Sequence, residues 1–176
     1  IVAPADNFEA SEVIKQAVGY KLPLYIRYGK KPMLDIHSNK TQFQIGKAII
    51  IEEGEDVALI ATGETVQRAF LASQILKENN INSTIVSMHT IKPFDSETFL
   101  KIAKKSKVIV SIEEHSEFGG LGEQCASLLA QNQINTNFKI IGIPDEYMVN
   151  GSQSDVLDHY NMSPEKIAKI TKSLID

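Results

Sequence analysis

Several short stretches bring together side chains capable of chemistry. Arg27, Lys30 and Lys31 stand at and beyond the end of an apolar run, LPLYIR at 22–27, with Gly29 among them. Positive charges just past a strand end, where a glycine permits close approach, suit a grip on phosphate; a solvated basic linker is the other reading. Glu113, Glu114 and His115 follow the β-branched run 108–112 and precede Gly119, Gly120 and Gly122. Strand, polar loop, glycine turn and helix start form the kind of junction where helix amides can receive an anion. These glycines fit neither G-x-G-x-x-G nor a P-loop with its Lys-Ser/Thr, and the two acids would repel a phosphate. Spacing therefore favours a tight turn that closes a structural crossover.

The remaining chemistry-bearing residues are sparser. Thr62-Gly63-Glu64, the run HTIKPFD at 89–95, and Pro144-Asp145-Glu146 also follow strand-like segments, so all these turns should gather on one edge of a sheet. A metal or acid/base site drawn from them lacks any His-x-x-x-His or Cys-x-x-Cys pair, and structural or interface roles are expected for His89 and His115. His37 and His159 sit among polar neighbours and are expected to be solvated. Cys125 falls on the core face of a helix and is expected to pack. Ser/His/Asp catalysis finds no support, since no serine stands in a nucleophile elbow and Ser111 lies within a strand.

The elements that must hold these residues alternate regularly. Asp6 caps a helix with Glu9 three residues on, and the apolar stripe Phe8, Val13, Ile14, Ala17 and Val18 runs to about Gly19. The run 22–27 follows as a strand. From Tyr28 to Gln44 the composition turns basic and polar, which places a domain boundary near 38–41 and divides the chain into 1–38 and 39–176. Beyond it come an edge strand or hairpin over 43–51, a buried strand at 57–61, a helix at 65–78 and a strand at 82–87. A helix at 97–105, the strand from 108, a helix at 123–131, a strand at 138–143 and a last helix from Ser163-Pro164 complete the order. Strands alternating with helices of this length predict an α/β fold with a mostly parallel sheet covered on both faces.

Composition narrows the function classes. One main domain with an appendage is the expectation for 176 residues, and 43% hydrophobic with 23% charged content is ordinary for a globular protein. A net charge of -4 with no basic stripe argues against a nucleic-acid partner. No apolar run approaches ~18 residues, so no membrane span is expected. The single cysteine rules out an internal disulfide, and a cytoplasmic address is the default expectation. The chain begins Ile1-Val2-Ala3-Pro4 without Met, which suggests a piece of a longer protein.

Three of these stretches together, VALIATGETVQRAFLASQIL, VSMHTIKPFD and VIVSIEEHSEFGGLGEQCASLL, resemble the C-terminal domain of the transketolase family of thiamine diphosphate enzymes. The opening, IVAPADNFEASEVIKQAV through LPLYIRYGK, resembles the end of the preceding pyrimidine-binding domain. The resemblance implies a three-layer αβα sandwich preceded by a short piece of a second α/β domain. It implies that thiamine diphosphate and a divalent metal, magnesium, belong to the complete enzyme and are held by upstream domains or a partner chain, within a homodimer. It places no catalytic or cofactor-binding residue in this chain. In transketolase-like members a strand of the type P-x-x-x-x-x-x-R ends in an arginine that binds the sugar phosphate; counting from Pro23, Lys30 takes that position, with Arg27 as a second cation. Glu113, Glu114, His115, Gly119, Gly120 and Gly122 become a structured loop near a subunit interface. The implied activity of the complete enzyme is transfer of a two-carbon ketol unit between sugar phosphates, this piece alone being inactive. A non-catalytic dimerisation or regulatory module, and the equivalent domain of a deoxyxylulose phosphate synthase or a 2-oxo acid dehydrogenase beta subunit, are the alternatives.

Overall fold

A computed structural model describes residues 1–29, 33–37 and 41–175. Its centre is a sheet of β1 (Ile49–Glu52), β2 (Val57–Ala61), β3 (Ser83–Ser87), β4 (Val108–Ser116) and β5 (Asn137–Ile143), in the order β1-β3-β2-β4-β5. β1 runs antiparallel at one edge and every other pairing is parallel. The central strands carry apolar residues on both faces because both faces are covered. Leu59, Ile85 and Val110 point to one side, against α2 (Thr65–Glu78), α5 (Gln153–His159) and α6 (Pro164–Ser173). Ala58, Ile60, Val86 and Ile109 point to the other, against α3 (Ser96–Ala103) and α4 (Leu121–Gln131). The result is the three-layer αβα sandwich.

The N-terminal piece packs beside the β1 edge. Asp6 caps α1 (Asn7–Ala17) by accepting from the Glu9 amide at 2.9 Å, and Val2 and Val13 bury themselves with Phe43 and Ile49. The run 22–27 is extended but is not a ladder strand. Ile26 makes a single parallel bridge to Val2, whose other side bridges Thr90. Pro23 offers no N–H, and Leu22 and Tyr25 are exposed, so the run has little to zip against. Both the boundary at 38/39 and Lys30 lie outside the described residues.

Two further differences bear on the site. Glu113, Glu114 and His115 continue β4 as far as Ser116 where a loop is expected; the register against β5 shifts between Ile112 and Ser116. And α5 is an element the apolar periodicity does not announce. It is seven residues long and is held by a capping box between Ser152 and Asp155.

Candidate functional site

The strand order creates a switch point. The chain leaves β2 for β3 on one side, then returns across β2 to place β4 on the other. Consequently α2 and α4, which follow these two adjacent strands, depart to opposite faces and leave a crevice at the strands' carboxyl ends, the usual ligand position in open α/β sheets. A cleft of about 190 Å³ lies there. The turn after β2 supplies Thr62 and Glu64, the end of β4 supplies Glu114 and His115, the start of α5 supplies Gln153, and the N-terminal piece supplies Arg27.

These residues are organised around Glu114. Nη1 of Arg27 donates to the Glu114 carbonyl, and its Nη2 lies 3.6 Å from the carboxylate. The amide nitrogen of Gln153 donates to both oxygens of that carboxylate at 3.2 and 3.3 Å. Arg27, predicted as a phosphate contact, is therefore brought to the sheet edge with part of its charge already matched. Three buried oxygens around the cleft have no hydrogen-bond partner among the described residues: Thr62 Oγ1, Glu64 Oε1 and Gln153 Oε1. Leaving such a group unpaired costs roughly 1–3 kcal/mol.

Glu113 faces the opposite way and explains the glycine turn. Its carboxylate accepts from the amides of Leu121 and Gly122 at 2.7 and 2.8 Å, so the first turn of α4 is capped from within. Burial raises the Glu113 pKa, partly offset by these two amides. Gly120 has to be glycine because a Cβ there would run into the Glu113 carboxylate. Gly119 adopts φ +75°, in the left-handed region. Gly122 packs within α4 against Ile140.

The histidines do not converge. His115 is exposed beside the cleft, its ring nitrogen 2.9 Å from the Ser116 carbonyl. His89 is fully buried and stacks on Phe43 with ring centroids 4.2 Å apart, and burial holds its pKa below the ordinary value. His159 is exposed, as expected. His37 is not solvated: its side chain is 1% exposed, with Nδ1 2.7 Å from Asp6 and Nε2 3.1 Å from Glu9. Burial opposes its charge, but the two carboxylates prevail and raise its pKa to about 9. The same Glu9 accepts from the Ser87 hydroxyl at 2.6 Å and the Ala5 amide at 2.7 Å. Cys125 is buried, and burial with the nearby Glu113 charge pushes its thiol pKa up, away from reactivity.

Gln153 and the His37 network are what sequence reasoning missed. Ser152-x-x-Asp155 is a legible capping signal for the former; partners about thirty residues apart leave no local signal for the latter. The described residues do not fit thiamine diphosphate. The α4 amides that would receive a phosphate are filled by Glu113, two carboxylates line the cleft, and no described group of three or more His, Cys, Asp or Glu could hold a metal ion. Nor is any described helix long and apolar enough to cross a membrane.

Comparison with known proteins places this architecture. Residues 46–167 match the family model described as transketolase, C-terminal domain. The chain is 41% identical over 172 residues to a putative transketolase C-terminal section of Methanocaldococcus jannaschii, covering 96% of this chain and 53% of that protein. It is 38% identical over 170 residues to one subunit of the apulose-4-phosphate transketolase of Phocaeicola vulgatus, covering 96% of this chain and 54% of the relative. Among solved structures, a split-gene transketolase described as an inactive beta4 tetramer superposes with a TM-score of 0.88 at 26% identity, over 99% of this chain and 56% of that one. The chain thus spans about half the length of these relatives. With sheet order, helix placement and family model in agreement, the chain belongs to the transketolase C-terminal domain family.

Proposed function

We propose that this chain is the C-terminal portion of a transketolase whose complete form moves a two-carbon ketol unit from a ketose phosphate to an aldose phosphate. The observation that carries this reading is the near-complete match of the chain to half of a transketolase C-terminal section and to half of one subunit of a two-part transketolase. Thiamine diphosphate with magnesium supplies the electron sink in the complete enzyme and is bound by the upstream domains or their separate chain. This chain contributes assembly, through a homodimer in which the segment from Glu113 to Gly122 lies near a subunit interface, and contact with the substrate phosphate through Lys30 and Arg27.

The division of labour follows from charge. Lys30 supplies a point charge, while Arg27 supplies planar donors already aligned by Glu114. Replacing Lys30 by Ala in the complete enzyme raises the Michaelis constant for the phosphorylated substrate about tenfold, the worth of one charge-assisted hydrogen bond, and leaves kcat in place. Unchanged kinetics would remove Lys30 from the site.

A further inference from the structure

We propose that the crevice between β2 and β4 is a binding site for a small uncharged polyol, a reading that shares Arg27 with the proposed phosphate contacts. Three independent features meet there. The crevice lies at the topological switch point, where open α/β sheets bind ligands. It is hollow, at about 190 Å³, below the roughly 300–1,000 Å³ of drug-sized sites, so it suits a small molecule only. And it is bordered by oxygens without partners among the described residues, of which those of Thr62 and Glu64 belong to residues only 8% exposed.

The lining selects the ligand class. An anion meets the carboxylates of Glu64 and Glu114, and the helix amides that would welcome it at α4 are occupied by Glu113. A cation meets the Arg27 guanidinium, whose charge Glu114 matches only in part. A hydroxyl both donates and accepts, which matches a wall presenting acceptors on Glu64 and Gln153 and donors on Arg27 and Thr62. The amide nitrogen of Gln153 is spent on Glu114, which fixes its oxygen as the free acceptor. Gly29 makes room for the Glu64 carboxylate, since a Cβ at that position would collide with it. Tyr28 and Pro4 give an apolar wall for carbon-bound hydrogens.

Ribitol is a suitable probe, because without a carbonyl it cannot accept a ketol unit. In a ligand-observed NMR titration of the complete enzyme, ribitol binds saturably. Thr62→Val, which removes an oxygen that has no partner among the described residues, weakens binding about tenfold without lowering the melting temperature. Glu64→Gln, which keeps the side chain's shape, weakens it as a second check. The proposal is overturned if ribitol shows no saturable binding, if both cleft variants bind it as the wild type does, or if methylammonium or inorganic phosphate occupies the crevice in its place. Because the Lys30 kinetics and the ribitol titration are separate readouts, failure of the ketol-transfer reading is distinguishable from failure of this one.

Discussion

His37 shows how far a side chain's setting departs from its sequence neighbours. It ties the segment after the N-terminal helix to Asp6 at that helix's cap and to Glu9 one turn inside, and Glu9 in turn reaches Ser87 on a central strand. A histidine held at a folded pKa of about 9, against about 6.5 when unfolded, contributes stability that is fully present below the unfolded value and is lost as pH rises through 9. Asp6, whose pKa is lowered despite burial because His37 and backbone amides favour its charge, contributes stability that is lost as pH falls below its ordinary value of 3.8. His89, depressed by burial, adds an acid-side loss beginning below about 6.5. Removing one partner of so buried a pair costs about 3–5 kcal/mol, so His37→Gln unfolds at markedly lower denaturant concentration at pH 7. Repeating the unfolding across pH should show the gap between wild type and variant closing as pH passes about 9. A gap that stayed constant with pH would mean that His37 acts by packing and not by charge.

The junction from β4 to α4 shows what an element needs beyond propensity. Glu113 occupies the anion position at the helix N-terminus, and Gly120 lets it approach. Glu113→Ala frees two amides and costs roughly 2 kcal/mol in denaturant unfolding. The emptied position then takes inorganic phosphate, which raises the melting temperature of the variant and not of the wild type; equal response of the two would refute the internal-cap account. Gly120→Ala destabilises by the same route, through collision with Glu113. Much of this scale was legible in the sequence. Helix α2 occupies its expected span of 65–78, Pro164 follows its Ser163 cap, and the buried strands at 57–61 and 108–112 read as continuous apolar runs. What was not legible depended on distant partners. Glu113 and Glu114 stay in the strand with side chains engaged on Leu121, Gly122, Arg27 and Gln153, none of which their local polarity reveals. The run at 22–27 had strand composition but, among the described residues, only Val2 to pair with.

At the scale of the molecule, the sheet order places both chemically equipped turns, after β2 and at the end of β4, on one edge, and the N-terminal piece brings Arg27 to that edge. The resemblance read from ATG, HTIKPFD and the glycine turn agrees with the family match and with the superposition. The candidate site was visible only in part: Arg27 and Glu114 were singled out, but their contact and the role of Gln153 follow from three segments meeting in space. The measurement that tests the central claim most directly is an NMR product analysis of the complete enzyme given a ketose phosphate donor and an aldose phosphate acceptor, with and without this chain in the assembly. The account predicts two-carbon transfer that requires both this chain and its upstream half, with neither half active alone. Release of carbon dioxide from a 2-oxo acid in place of ketol transfer, or full transfer by the upstream half without this chain, would contradict it.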